Sequence, residues 1–386
     1  MPFIISNYLV FTSLYSWISG TNRIFYTRLT TTWIILMEEI NLPAQPEHKT
    51  HQVLFTGNAK DYFGIWIVNI LLSIVTLGIY SAWATVRTRQ YFYGHTSIDG
   101  HRFNYLATPM QILKGRIIAF AIFALYVTLS TYSPVMAVVF FLIWAAAIPW
   151  LINQSLRFNL RMTSHRNVRF GFKGNYLDAL THFVLLPIVG ALTLYIAMPW
   201  VMKKIDTYIH NNIEYGNKAL KVELSAGRYY GAVLRCLIVA IGFGVISAIV
   251  AGVMGSFGDP ESLGVAMVFI SLGFNFLAIS LLAGIYQSKV RNHIFANAQL
   301  EDVATFESKL DSVEYSILLA TNALAIIFSL GLAFPWTKVR KAKMLAAATT
   351  ITLSENAEQV MEVYRESQSS LAEEAANVFD VDISLT

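Results

Sequence analysis

Two long stretches of the chain carry no charge: no Asp, Glu, Lys, Arg or His falls between Arg116 and Arg157, and none between Ser262 and Ser288. A hydrocarbon core about 30 Å thick takes roughly 20 apolar residues per helix, so the first stretch predicts two helices turning at Ser133-Pro134. A second helical hairpin is predicted from Cys236 to Gly258, through a turn at Asp259-Pro260-Glu261, and back from Leu263 to Tyr286. Three more apolar segments, Tyr62 to Val86, Ala179 to Met202 and Tyr315 to Thr337, are long enough to span but are interrupted near their middles. The interruptions are Thr76-Leu77-Gly78, Pro187 with Gly190, and Ser329-Leu330-Gly331. Gly and Pro survive in membrane helices where neighbours or water satisfy the freed backbone groups, so these positions mark breaks.

The three interrupted segments also share their ends. Phe55-Thr-Gly57-Asn58-Ala-Lys-Asp61 returns as Phe172-Lys-Gly174-Asn175-Tyr-Leu-Asp178 and, more loosely, as Phe306-Glu-Ser308-Lys309-Leu-Asp311. The runs close on TLGIYSAW, TLYIAMPW and SLGLAFPW, each followed within four residues by Lys or Arg. A threefold internal repeat in a hydrophobic chain points to duplication, with a binding site where the repeats meet. The expected organisation is an extension or weak interfacial anchor at 1–36, a polar lead at 37–54, repeats with helical hairpins at 55–171 and 172–305, a partial repeat at 306–353, and an acidic tail at 354–386. Met37 is the expected natural start.

The fold class expected from these patterns is an all-α polytopic integral membrane protein with about seven hydrophobic helical segments. Small β elements should lie on its cytoplasmic face. Thr96 to Phe103 holds the Asp99-Gly100 signal of a tight hairpin, and Asn167 to Phe172 alternates apolar with polar or small residues. Two topologies fit the helices. Seven crossings would put the basic loop from Lys203 to Arg235 outside, against the positive-inside tendency. Re-entrant repeat segments would keep every basic loop cytoplasmic, and charge favours this arrangement while length favours crossing. Both leave the C-terminus cytoplasmic.

Composition agrees with a non-aqueous solvent: 55% of residues are hydrophobic and 13% charged, and the mean hydropathy is +0.51. An ordinary soluble domain has about 25% charged residues. The single cysteine, Cys236, can form no internal disulfide and is expected to be a small buried residue. Trp83, Trp200 and Trp336 close the repeat segments, with Arg87, Lys203, Lys204, Lys338 and Arg340 beyond them. These are expected interfacial anchors that favour anionic lipid. Membrane flanking explains the basic clusters, so no nucleic-acid partner is expected. The acidic tail is a candidate surface for a cytoplasmic protein partner.

The eight histidines form no HExxH and no paired ligand set, and neither a phosphate loop nor a nucleophile elbow occurs. No metal, cofactor or enzymatic activity is expected. Asp61, Asp178 and Asp311 recur at repeat entries and read as helix caps. Polar groups within the apolar runs are the candidate binding residues: Asn69, Ser73, Thr76, His182, Thr193, Asn322 and Ser329. Such groups need partners in hydrocarbon and usually face a bundle interior or wet cavity. Gly244, Ala248 and Gly252, spaced by four, read as a helix-packing stripe.

FTGNAKDYFGIWIVN, TLGIYSAWATVRTRQYFYGHT, FNYLATPMQILKGR and RFGFKGNYLDAL together make the chain similar to the YjgN family of bacterial inner-membrane proteins. The resemblance runs from about Val53 to Met344 and implies a bacterial cytoplasmic-membrane location. It supplies no ligand residues. The function expected is that of a transporter or channel-like protein with a site between interrupted repeat helices. The alternatives are a membrane scaffold or assembly factor recruiting a partner through the acidic tail, and a lipid-handling protein.

Overall fold

The computed structural model describes residues 49–257 and 260–354, together with Ala357 and Glu362. The expected extension at 1–36, most of the polar lead and nearly all of the acidic tail lie outside the described residues. The described helices are α1 (Ala59–Val75), α2 (Ser81–Gly94), α3 (Pro109–Tyr132), α4 (Pro134–Arg161), α5 (Tyr176–Leu192, with a π turn at Thr181–Leu185), α6 (Met198–Asn211), α7 (Ala226–Phe257), α8 (Pro260–Ala296), α9 (Ser312–Phe328) and α10 (Phe334–Ala347). Between them run β1 (Lys49–Gln52), β2 (Leu54–Phe55), β3 (Thr96–Ile98), β4 (His101–Tyr105), β5 (Thr163–His165), β6 (Val168–Phe172), β7 (Ile213–Tyr215), β8 (Lys218–Val222), β9 (Ala298–Leu300), β10 (Ala304–Ser308) and β11 (Thr349–Leu353).

These strands form one antiparallel sheet of eleven in the order β1-β11-β10-β9-β8-β7-β6-β5-β4-β3-β2. Its two ends, β1 and β2, are halves of one segment split at Val53. Lys49 to Gln52 pair with β11, whereas Leu54 and Phe55 pair with β3. The sheet thus curls to near closure, with the Val53 N–H donating to the Thr349 carbonyl at 3.0 Å. The all-α expectation is overturned: the β elements build a barrel rather than scattered caps. The strands are short, and although hairpins such as β3–β4 and β5–β6 pair locally, the pairings that join hairpin to hairpin and close the sheet, such as β4 with β5 and β1 with β11, lie far apart in sequence.

Connections alternate around the barrel. Tight turns at Asp99-Gly100 and Arg166-Asn167 use left-handed backbone, with φ of 49° and 73° in the first and 50° and 65° in the second. Short turns also join β7 to β8 and β9 to β10, and between successive turns runs a pair of helices. Because neighbouring strands are antiparallel, the turns gather at one rim and the helical pairs leave from the other.

Among the described residues four helices, not seven, are long and apolar enough to cross a membrane, at Pro109–Thr131, Val135–Arg161, Ala226–Val253 and Ser271–Ala296. Their outward side chains, such as Phe120, Phe141, Leu237 and Ile249, are exposed apolar groups that need hydrocarbon around them. The other three expected spans are bent hairpins, α1–α2, α5–α6 and α9–α10, whose ends both return to the barrel. Tyr91 near the end of α2 donates to the Asn58 carbonyl before α1 at 2.7 Å, and Tyr208 of α6 donates to the Asn175 carbonyl before α5 at 3.2 Å. Tyr315 at the start of α9 packs against Met344 and Leu345 at the end of α10.

Each bend is a helix stop in which two consecutive residues turn left-handed. The pairs are Leu77-Gly78, Leu194-Tyr195 and Leu330-Gly331, with φ of 49° and 89°, 51° and 64°, and 50° and 91°. The second residue's N–H reaches back five positions, Gly78 to Ser73, Tyr195 to Gly190 and Gly331 to Ile326, satisfying a terminal carbonyl. The second break therefore falls at Leu194-Tyr195 rather than at Pro187 and Gly190. Pro187 occupies a first-turn position after the π turn, and Gly190 stays helical, where an added Cβ would meet Met198 Sδ at 3.0 Å.

Candidate functional site in the barrel lumen

Alternation along the strands sends one set of side chains inward. The inward register pairs include Phe103 with His165, Phe170 with Tyr215, and Phe306 with Ile351. They enclose a cavity of about 530 Å³, within the usual range for small-molecule sites. Aromatic rings step along one wall: Phe103 to His165 at 4.6 Å, Phe103 to Phe170 at 6.4 Å, and Phe170 to Tyr215 at 5.0 Å.

Charge is confined to the two ends of this apolar space. At the turn rim Asp99 holds His51 Nδ1 at 3.1 Å and Arg166 Nη2 at 2.5 Å, an internally neutralised cluster. Burial, reinforced by the Arg166 charge, pushes His165 down to about 4, so its ring is neutral near pH 7. Burial also pushes the Tyr215 hydroxyl up to about 12, and that hydroxyl donates to the His165 carbonyl at 2.9 Å.

At the helix rim Arg291 of α8 enters the lumen beside Phe92, Phe295 and Leu345. Its Nη2 donates to Thr349 Oγ1 at 2.8 Å, and its guanidinium lies 4.3 Å from the Phe295 ring centre. The Nε is buried without a partner, and among the described residues no carboxylate lies within ion-pair distance of Arg291. An apolar chamber with an unmatched cation at one end suits a molecule with an apolar body and an anionic head. Nothing in the sequence pattern singles out Arg291, which follows an apolar run like any membrane-flanking arginine.

The residues expected to bind do not converge on one centre. The Thr76 hydroxyl donates to the Leu72 carbonyl at 2.7 Å and accepts from the Tyr80 N–H at 2.9 Å. Thr193 and Ser329 repeat this by accepting from the Ala197 and Ala333 N–H groups at 3.2 and 2.8 Å. All three therefore stabilise the bends. Thr76→Val and Ser329→Ala should each cost about 1 kcal/mol, read as a lowered thermal midpoint of the purified protein. His182 bonds the Asp178 carbonyl through Nδ1 at 2.7 Å and stacks on Tyr208 at 4.9 Å. Asn322 joins α9 to α10, donating to the Thr337 carbonyl and accepting from Arg340, both at 3.3 Å.

Asn69 differs from the others. It is 4% exposed, and neither its amide nitrogen nor its amide oxygen has a partner, an omission that costs ~1–3 kcal/mol. Asn69 and Ser73 line a separate cavity between the first and third bent hairpins.

The expected caps and anchors have definite places. Asn58 and Asn175 cap α1 and α5 through the N–H groups of Asp61 and Asp178, each at 2.8 Å, while Asp311 itself caps α9. Those backbone contacts hold the Asp311 carboxyl below its ordinary range. Trp83 stacks on Tyr80, Lys204 lies over Trp200, Arg340 over Trp336 and Lys338 over Phe334. Arg87 is exposed and Lys203 half-buried.

Comparison with known proteins finds relatives but no solved structure that matches. The chain is 27% identical over 227 residues to the inner membrane protein YjgN of Salmonella typhimurium, covering 58% of this chain and 53% of that protein. In that match it spans about half the relative's length. It is 25% identical over 356 residues to the inner membrane protein YjgN of Escherichia coli K12, covering 79% of this chain and 87% of that protein. The O157:H7 protein of the same name is 25% identical over 357 residues, with the same coverage. With residues 50–378 matched, the chain belongs to the family described as bacterial protein of unknown function (DUF898).

Proposed function

We propose that this membrane protein binds an anionic amphiphile, with its apolar part in the barrel lumen and its carboxylate or phosphate head on Arg291. The observation that carries this reading is the unmatched Arg291 guanidinium at one end of a cavity walled mainly by apolar side chains such as Phe103, Phe170, Leu300 and Phe306, the charge at the other end being the paired Asp99 and Arg166. Basic loops beside the spans support a cytoplasmic position for the barrel and the C-terminus. The shared stop geometry of the three bends fits a duplicated unit.

A transporter or channel with its site between the interrupted helices is the second reading, and the unpartnered Asn69 amide is the observation in its favour. Thr76, Thr193 and Ser329 count against it because their hydroxyls are spent on the bends. The scaffold reading rests on the acidic tail, of which only Ser354, Ala357 and Glu362 are described.

The test is equilibrium binding of a medium-chain alkyl carboxylate and of the matching alcohol to protein in lipid nanodiscs. A charge-assisted hydrogen bond contributes ~1.5–3 kcal/mol, so Arg291→Gln should weaken carboxylate binding at least about tenfold. Alcohol binding should hardly change. Equal carboxylate affinity in wild type and variant would defeat the assignment.

A further inference from the structure

The second cavity, of about 730 Å³, opens between the first and third bent hairpins. Those hairpins meet where Trp66 of α1 stacks on Phe334 of α10 at 6.1 Å. Asn69 lines the cavity with a buried amide that offers a donor and an acceptor and finds neither counterpart in the protein. On the facing helix are Lys338 and Lys341, whose ammonium groups sit over the Phe334 and Tyr315 rings at 5.3 and 5.7 Å. Among the described residues neither lysine has a carboxylate within ion-pair distance.

Position relative to the membrane follows from the bends. Leu77 and Leu330 at the hairpin tips are each 94% exposed, and Phe328 and Val75 beside them are exposed too. Such tips belong in the acyl region, and Lys338 and Lys341 on the second and third turns beyond the third bend then reach headgroup level, where cations meet phosphate. Unmatched lysines, an unpartnered amide and apolar walls from Ile70 and Ile74 therefore stack in the order of a phospholipid: phosphate, polar glycerol region, chain.

We propose that this cavity is a binding site for an anionic phospholipid of the adjoining leaflet. Lys338 and Lys341 hold its phosphate, the Asn69 NH₂ donates to an ester carbonyl, and the Asn69 oxygen accepts from a headgroup hydroxyl. Acyl chains lie along Ile70 and Ile74. Phe92, Ala342 and Leu345 line both this cavity and the lumen, so only that layer of side chains separates the two. The site does not depend on the lumen reading.

The experiment uses full-length protein in nanodiscs of phosphatidylglycerol and phosphatidylcholine, doped with phosphatidylglycerol carrying a photoactivatable acyl chain, followed by peptide mapping. Adducts should concentrate on α1 and α10, and excess unlabelled phosphatidylglycerol, but not phosphatidylcholine, should compete them away. Asn69→Leu and Lys338→Gln/Lys341→Gln should each reduce those adducts about tenfold, while adducts on the lipid-facing surface of α3 and α7 persist as an internal control. Size-exclusion elution and helicity matching wild type certify folding, and the lysine pair, being at the surface, serves should Asn69→Leu misfold. Adducts spread evenly over every apolar face and unchanged in the variants would overturn the site. Alkyl carboxylate binding that needs Arg291, with no hairpin adducts, would overturn this inference while sustaining the lumen reading; the reverse outcome would do the opposite.

Discussion

Gly284→Ala should destabilise the folded protein by about 3 kcal/mol, and Gly284→Leu should abolish monodisperse protein altogether. At Gly284 α8 passes so close to α9 that an added Cβ would lie 2.0 Å from Ser316 Oγ, 2.6 Å from its Cα and 2.7 Å from its Cβ. No rotamer of Ser316 relieves a contact with Cα, so the helices must separate. Separation would strip the bonds that hold them: Ser316 Oγ to the Leu281 carbonyl at 3.2 Å, Ser288 Oγ to Ser312 Oγ at 2.7 Å, and Tyr315 Oη to Gln287 Oε1 at 3.0 Å. It would also loosen Asn292, which donates to the Leu310 carbonyl and accepts from the Leu310 N–H and Ser308 Oγ. Gly244→Ala is the control, because nothing lies within 4 Å of a Cβ there. Thermal midpoints in a fixed detergent separate the cases, and a Gly284→Ala midpoint equal to that of Gly244→Ala would show that the helices can part at no cost.

That contrast also marks where the sequence could be read and where it could not. The stripe of Gly244, Ala248 and Gly252 has the spacing of a packing motif, yet Gly244 and Gly252 face open space, while the equally spaced Ser280, Gly284 and Ser288 make the close approach at Gly284. Spacing records which residues share a helix face; it does not say whether a partner covers that face. The straight helices were legible because hydrocarbon imposes a long uncharged run, and the bends at Gly78 and Gly331 because glycine accepts left-handed backbone cheaply. The bend at Leu194-Tyr195 was displaced in the sequence reading because Tyr195 takes the left-handed position without a glycine to announce it. Single hairpins such as that at Asp99-Gly100 were legible, but the barrel was not, because the pairings that close it are remote: β1 with β11 joins Lys49 to Leu353. Arg291 and Arg166 look like flanking cations until the sheet curls round them. Asn69 was recognisable as a polar group in an apolar run, but only the packing of α10 against α1 shows that it lacks a partner.

Acid should weaken the barrel between about pH 6.5 and 4, and His165 should be the cause. The free side chain titrates near 6.5, whereas in the barrel burial against Phe103 and the neighbouring Arg166 charge hold it near 4. Above pH 6.5 the ring is neutral in both folded and unfolded chains and contributes no pH dependence. As pH falls through 6.5 the unfolded chain takes up a proton that the folded barrel refuses, so folding loses free energy until the folded ring also protonates near 4. The full loss is on the order of 3 kcal/mol. Protonation would place a cation beside Arg166, whose countercharge Asp99 is already shared with His51. The measurement is the thermal midpoint of wild type and His165→Leu at steps from pH 7.5 to about 4. Wild type should lose stability across that window and the leucine variant should lose distinctly less, since the remaining titrations are common to both. Parallel curves would mean that the lumen admits water enough to let His165 protonate freely, and the cavity would then be a wet channel rather than an apolar chamber.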